Sequence, residues 1–394
     1  MVDSGAPSSS VYASEAYFNQ LLAKAVAAKA SDIHLKVGIP PAARVRGELV
    51  FFRTEPLRKE DTDSIARLVI KDGRIRSEVP SLREHDCAYA ADGVGRFRVN
   101  VYRQRGTLGI VMRSIPTKIP SFEDLGAPAP CQYLAERERG LVLVVGAAGN
   151  GKSSTLAAMI GHLNRTQPLH IVTIEDPIEF LHEDDKSSIS QREVGIDTGT
   201  FADALRAALR QDPDVILVGE IRDELTLDIA LKAAETGHLV LSTLHTNDAP
   251  ATISRLLNMG VEPFLITASV NLVLAQRLAR KVCVDCRQPI QIEPQALQEL
   301  GFTPDQVNIA QGRLVKGFGC RTCNGTGYKG RVALYEVMRF NDTLKEMVLQ
   351  GSSTAELKAA AIKQGMVTLR MAGIMKVLDG VTTTEEILRV TMSD

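Results

Sequence analysis

Apolar residues recur along this chain with a helical period in some stretches and a strand period in others. From Tyr17 to Ala30, Phe18, Leu21, Leu22, Ala25 and Val26 fall three or four apart, which predicts a helix. ASDIHLKVG and PPAARVRGELVFFR alternate and predict strands that turn at Gly47. DTDSIARLVIKDGRI returns to the helical period, with Gly73 near its end. Residues 84–115 alternate again. In RFRVNVY, Arg96, Arg98 and Asn100 fall on one face and Phe97, Val99 and Val101 on the other. Residues 13–115 therefore predict a small α+β domain, preceded by a frayed polar tail over 1–12.

The pattern changes after residue 115. Residues 116–130 are rich in proline and predict a linker with a short helix over SFEDLG. Beyond it, apolar runs (LVLVV, HIVTI, DVILV, LVLSTL) alternate with amphipathic stretches such as FADALRAALRQ and ELTLDIALKAAETG. Alternating strands and helices predict an α/β domain over 131–394, with a mainly parallel sheet covered on both faces. Within it, two cysteine pairs mark a segment over 281–330. That segment is expected to project as an arm, with a helical part over 331–394.

Composition narrows the class. At 394 residues the chain has room for two to three domains of about 150 residues. Lysine and arginine total 46 against 47 acids, and only 5% of residues are aromatic, with no tryptophan. General coating of nucleic acid is therefore not expected, because strand tracking favours basic channels and stacking rings. No apolar run reaches the roughly 20 residues of a membrane span. The N-terminus lacks the basic and apolar regions of a secretory signal.

Chemistry concentrates at four places. Gly146, Ala147, Ala148, Gly149, Asn150, Gly151, Lys152 and Ser153 read G-x-x-x-x-G-K-S between a strand and a helix, followed by Ser154. Such a loop turns N–H groups inward around phosphates, brings a lysine to the β- and γ-phosphates and offers a hydroxyl, here Ser153, to Mg²⁺. The alternative is a plain glycine turn. Two carboxylate clusters, TIEDPIE with Glu175, Asp176 and Glu179, and DVILVGE with Glu220, follow apolar strands and suit metal positioning and a general base. His238 and His245 bracket a further strand. From Gly93 to Phe122 there are five arginines, one lysine and no acid. A solvated basic face, a nucleic-acid groove, or an arginine acting on a neighbouring subunit's γ-phosphate all fit that run. Arg206 and Arg210, four apart, join these candidates. Finally, Cys283-x-x-Cys286 and Cys320-x-x-Cys323 have the spacing of a closed structural Zn²⁺ site, with redox or buried pairs as the alternative.

These motifs occur together in one family. RGLVLVVGAAGNGKSSTLAAM, TIEDPIEF, ALRAALRQDPDVILVGEIRD and TGHLVLSTLHTNDA resemble the secretion ATPases of type IV pili and type II secretion. ASDIHLKVGIPPAARVRGEL and QREVGIDT resemble the pilus retraction members. AQRLARKVCVDC, GCRTCNGTGYKGRVALYEVM and LDGVTTTEEILRVT resemble the assembly and type II secretion members, which carry the zinc. The resemblance implies a PAS-like N-terminal domain and a RecA-like ATPase domain, assembled as a homo-hexamer in the cytoplasm. It implies ATP, Mg²⁺ and Zn²⁺ as cofactors. Glu179 becomes the general base, Glu220 the Walker B glutamate, His238 and His245 the His box, and Arg98 and Arg113 the arginines that reach a nucleotide. The partner implied is an inner-membrane platform protein, with membrane contact only through partners and no nucleic acid. The extra N-terminal docking domain of the assembly members is not expected, since about thirty residues precede ASDIHL. A nucleic-acid motor on the same core, or a scaffold that binds nucleotide without turnover, are the rival readings.

Overall fold

The computed structural model describes residues 10–45, 47–115, 118–129, 131 and 137–391. They divide into two compact units. One holds the described residues up to Lys118 together with Glu179–Leu181, and the other holds the rest. The division falls between Lys118 and Ile119, within the stretch read as a linker. Residues 116, 117 and 130 of that linker, and 1–9 of the tail, lie outside the described residues. The tail reading fails for its last three residues. Ser10 caps the short 3-10 helix Val11–Ala13, and Tyr12 is buried in the first core.

The first unit is a six-stranded antiparallel sheet. Its strands are β1 (Ala30–Lys36), β2 (Ala42–Val45), β3 (Glu48–Phe51), β4 (Glu84–Ala91), β5 (Gly95–Gln104) and β6 (Thr107–Ile115). Their order is β3-β2-β1-β6-β5-β4. Phe97, Val99 and Val101 of β5 and Leu108, Ile110 and Met112 of β6 are fully buried. They pack with the helices Glu15–Ala27 and Lys59–Val69 in one core. The alternation in RFRVNVY thus sends its apolar set inward and turns Arg98 and its neighbours to the other face.

The second unit is built on a seven-stranded sheet. β7 (Gly140–Val145), β8 (His170–Glu175), β9 (Ser188–Glu193), β10 (Val215–Val218), β11 (Leu239–Leu244), β12 (Val270–Val282) and β15 (Tyr328–Arg339) run in the order β15-β12-β7-β11-β10-β8-β9. All pairs are parallel except β12 with β15. Strands buried on both faces read as continuous apolar runs. Accordingly Leu141, Leu143 and Val145 of β7 enter one core, and Val142 and Val144 enter the other. The helix Lys152–Thr166 covers the second face with Leu156, Met159, Ile160 and Leu163, spaced to form one stripe. Burying each such side chain contributes about 1.5–3 kcal/mol. Helices Phe201–Ala208, Glu224–Glu235 and Ala249–Asn258 cover the first face. Among the described residues no helix is long and apolar enough to cross a membrane.

Two expectations for the C-terminal part need correction. The part over 331–394 is not purely helical: Tyr328–Arg339 is the edge strand β15, whose Leu334 and Met338 are buried in the sheet core. The segment between the cysteine pairs does not project. Its short strands β13 (Arg287–Pro289) and β14 (Val315–Gly317) flank the helices Pro294–Glu299 and Pro304–Ala310; Leu297, Val307 and Ala310 of those helices, with Phe302 between them, join the same core as Leu369 and Ile374. Those apolar residues, spaced along QALQELGFTPDQVNIA, cost too much to leave in water, so the loop folds back.

Candidate active site

Strands β7, β11, β10 and β8 lie side by side and parallel, so their C-terminal ends share one edge of the sheet. Residues that follow those ends are brought together, as open α/β sheets do for ligands. Here they are the loop Gly146–Gly151 after β7, His245 after β11, Glu220 after β10 and Asp176 after β8.

The loop leads directly into the helix Lys152–Thr166, whose first turn leaves N–H groups without helical acceptors. Gly146 has φ +146°, and a Cβ there would stand 2.5 Å from the Gln276 carbonyl oxygen. Glycine is therefore required by close backbone approach as well as by conformation. Asn150 stitches the turn, donating to the Ala147 carbonyl at 3.2 Å and accepting from the Leu278 N–H at 3.1 Å. Ala148 and Gly149 are exposed at the tip. The Lys152 Nζ donates to the carbonyls of Gly146 (2.8 Å) and Ala147 (3.3 Å) and lies 3.5 Å from His245 Nδ1. Burial lowers the pKa of this ammonium; the nearby Glu220 carboxylate opposes the shift and Arg277 adds to it. Phosphate oxygens are stronger partners for it than carbonyls. Ser153 is exposed at the helix start and Ser154 is half-buried.

From Lys152 a chain of polar contacts crosses the strand ends. His245 Nε2 lies 3.0 Å from Glu220 Oε1. Arg222 joins Glu220 (3.1 Å) to Asp176 (3.4 Å). Beneath them, the Ser242 and Thr243 hydroxyls donate to the carbonyls of Val218 (2.7 Å) and Gly219 (2.8 Å), which fixes the ends of β10 and β11. Glu175 accepts from Thr173 at 2.7 Å and from Gln191 at 3.2 Å.

Other candidates stand elsewhere. His238 precedes β11, where its Nδ1 lies 3.0 Å from the Ala233 carbonyl oxygen. The six residues of β11 separate it from His245 by about 20 Å at the usual strand rise. Asp214 likewise precedes β10 and accepts from the His170 N–H at 2.8 Å. Glu179 lies four residues past β8, in the segment Glu179–Leu181. Arg98 and Arg113 are register partners on β5 and β6 of the first unit. Arg113 donates from Nε to Asp32 at 2.9 Å while its side chain stays 71% exposed, so its terminal nitrogens are open to solvent. Arg206 is 3.6 Å from Asp203, and Arg210 lies beyond that helix.

The sequence reading missed the residues that brace the loop. Gln276 of β12, 2% exposed, accepts from the Thr155 hydroxyl at 2.7 Å and donates to the Asn150 carbonyl at 2.9 Å. Arg277, also buried, donates to Asn247. A Gln-Arg pair inside the apolar run VNLVLAQRLA was the available signal, since buried polar groups need partners. Arg222 was visible within GEIRD.

The four cysteines form a second centre. All four Sγ atoms lie within 4.8 Å of one another, and three pairs stand at 3.7–3.8 Å. A tetrahedron with Zn–S of about 2.3 Å has S···S edges of about 3.8 Å, so the donor set fits zinc. Gly317 and Gly327 cross so closely that neither can carry a Cβ. Burial raises the Cys323 thiol, but N–H donors from Cys320 and Gly327 outweigh it and bring the pKa down to about 6.

Sheet order, phosphate loop and the acid-histidine edge define a P-loop ATPase with an α+β unit ahead of it. The chain belongs to the type II/IV secretion system protein family, whose model matches residues 91–389. It is 42% identical over 398 residues to the type IV pilus assembly ATPase PilB of Myxococcus xanthus, an alignment covering 95% of this chain and 67% of that protein. It spans 66% and 43% of two further pilus assembly ATPases, from Acinetobacter baylyi and Thermus thermophilus. It is 38% identical to the type II secretion system protein E of Pectobacterium carotovorum, covering 95% of this chain and 75% of that protein. The crystal structure of the pilus retraction motor PilT with bound ADP superposes with a TM-score of 0.77 at 35% identity, covering 94% of this chain and 96% of that one.

Proposed function

We propose that this chain is one subunit of a hexameric ring that hydrolyses ATP to drive type IV pilus assembly or retraction, or type II protein secretion. The observation that carries the reading is the convergence of Lys152, Glu220 and His245 on one sheet edge, in a member of a secretion family. The triphosphate lies along Gly146–Ser154, with Lys152 turning from its own loop carbonyls to the β- and γ-phosphates. The Ser153 hydroxyl and the Glu220 carboxylate are the hard oxygen donors that suit Mg²⁺, which neutralises phosphate charge when bound. Glu179 takes a proton from water. The water oxygen bonds to the γ-phosphorus, the bond to the β–γ bridging oxygen breaks, and ADP and phosphate leave. His245 stands between Lys152 and Glu220, so movement of either is felt by the other. Arg98 and Arg113 act on the γ-phosphate of a neighbouring subunit; the open fork of Arg113 supports that role. His238 is given no contact with the reaction, since it stands at the far end of β11. Cys283, Cys286, Cys320 and Cys323 hold a structural Zn²⁺ that cross-links the two knuckle turns.

The ring works in the cytoplasm against an inner-membrane platform protein. Deletion of the gene in its host tests this, with pili, retraction and secreted protein scored. Loss of one of these, restored by the wild-type gene and not by Lys152→Ala, is the expected result. A deletion strain normal in all three refutes the reading.

A further inference from the structure

The edge strand β15 carries one carboxylate, Glu336, that is fully buried and lies outside the nucleotide site. Its Oε1 accepts the Ala249 N–H at 2.8 Å and its Oε2 accepts the Leu369 N–H at 3.3 Å. Those N–H groups open the helices Ala249–Asn258 and Leu369–Leu378, whose N-terminal dipole ends favour negative charge. Asp248 caps the first of these through the Ala251 N–H at 2.8 Å and pairs with Lys358 of the helix Thr354–Lys363 at 3.3 Å. Burial pushes the Glu336 carboxyl up to about 7; the two N–H groups and Lys358 oppose the rise, and Asp248 adds to it. Asp248 and Lys358 are the charged side chains that act on it. On the elements packed around it, Arg277 of β12 bonds to Asn247, Arg370 bonds to Thr391, and Arg255, Arg339 and Lys363 are exposed.

A short strut joins this carboxylate to the phosphate site. His245 lies four residues before Ala249, and each residue between them is held. The Thr246 hydroxyl bonds to the Thr252 hydroxyl at 2.7 Å, Asn247 accepts from Arg277 at 3.1 Å, and Asp248 is capped and paired as above. Fixing Ala249 therefore fixes where His245 stands between Lys152 and Glu220. Capping alone does not call for an ionisable group, since neutral serine, threonine or asparagine caps a helix with less desolvation.

We propose that Glu336 is a positioning residue for ATP turnover: by clamping two helix N-termini it holds His245 against Lys152 and Glu220, and so ties the C-terminal helices to the nucleotide site. The inference rests on the hydrolytic reading given above. Glu336 touches no reacting group and acts only through the His245 segment. Ionised, both of its oxygens accept; protonated, one oxygen carries the hydrogen and the clamp on one helix weakens. Turnover should therefore rise with pH through about 7. Stability moves the other way at this group. A carboxyl whose folded pKa lies above its ordinary 4.5 favours the folded state at low pH, and that contribution is lost as pH rises through about 7. A limb of turnover that rises with pH thus does not come from acid unfolding at Glu336.

Steady-state ATP turnover of the full-length chain is measured over about pH 5.5–8.5 for wild type, Glu336→Gln and Lys358→Met, with thermal melting at each pH to verify folding. Glu336→Gln should lower kcat by a factor of about 10–100, keep KM for ATP within about twofold of wild type, and abolish the limb near pH 7. Lys358→Met keeps the carboxylate and deletes a cation that holds its pKa down. Its limb should move to higher pH, with kcat on the plateau near wild type. If Glu336→Gln does not fold, the shift in Lys358→Met decides alone. Wild-type kcat in a folded Glu336→Gln protein overturns the proposal, as does a defect confined to KM. So does a limb that stays in Glu336→Gln, or one that is unmoved or lowered in Lys358→Met. Each of these overturns the proposal alone, whereas a wild-type chain without turnover overturns the hydrolytic reading with it.

Discussion

Gln276 is the most informative residue to remove, because it ties β12 to the phosphate loop and touches no nucleotide in the proposed site. Gln276→Leu keeps the side-chain bulk and deletes two hydrogen bonds, to Thr155 and Asn150. Each neutral bond contributes about 1 kcal/mol, and the fully buried Thr155 hydroxyl loses its acceptor at a further cost of about 1 kcal/mol. The expected loss is therefore about 3 kcal/mol in the stability of the second unit. The turn at Asn150 also loosens, so ATP affinity should fall about tenfold, equivalent to about 1.4 kcal/mol. Thr155→Val alone should cost less, since it leaves only the Gln276 oxygen without a donor. The double variant replaces both partners with apolar groups. Its cost should be smaller than the sum of the single costs by about 1 kcal/mol. Urea unfolding followed by circular dichroism measures stability, and titration with a fluorescent ATP analogue measures affinity. Costs that add strictly, or a Gln276→Leu protein within about 0.5 kcal/mol of wild type, would refute the reasoning.

Three further outcomes follow from other parts of the molecule. Freshly purified, reduced protein should carry close to one zinc per chain, and Cys283→Ser should lose it and destabilise residues 281–331 more than the phosphate loop; metal analysis without zinc contradicts the assignment. Glu386 is buried, which opposes its charge, but the guanidinium groups of Arg389 and Arg280 outweigh burial and hold it at about 2, below its ordinary 4.5. A depressed carboxylate stabilises above its unfolded pKa and stops doing so as pH falls through the folded one. Glu386→Gln should therefore be about 2 kcal/mol less stable than wild type at pH 7, allowing for solvent around both arginines. The two should converge between pH 5 and 2; a gap independent of pH argues against the ion pairs. Mixtures of inactive Arg113→Ala and inactive Lys152→Ala chains should regain part of the turnover, because some interfaces then pair an intact loop with an intact arginine. Exchanging mixtures that stay dead exclude action in trans.

How legible the site was in the sequence depended on locality. The phosphate loop, the paired-cysteine spacing and the strand that leads to Glu220 each sit within one short run, so they could be picked out as candidates before the fold. His238 and His245 looked equivalent because sequence distance hides that a strand has two ends; the parallel sheet places one at the loop and the other far from it. Gln276 was not found because its partners Thr155 and Asn150 lie more than a hundred residues away and meet it only when β12 pairs with β7. The segment between the cysteine pairs was misread as an arm. Its few apolar residues, Leu297, Phe302 and Val307, reveal their burial only once the C-terminal helices give them a surface. β15 was overlooked for a related reason. YKGRVALYEVMR is half exposed at the sheet edge, and it pairs antiparallel in a sheet that is otherwise parallel.

Steady-state ATP turnover by the purified chain tests the central claim most directly, measured with Mg²⁺ beside Lys152→Ala and Glu179→Gln. The account predicts turnover in wild type and loss of binding and turnover in Lys152→Ala. In Glu179→Gln, ATP binding should be near wild type, with turnover lower by a factor of about 10²–10⁴, the range for removing a general base. A wild-type chain that binds ATP tightly and never releases phosphate would contradict it, and would make the protein a nucleotide-binding scaffold.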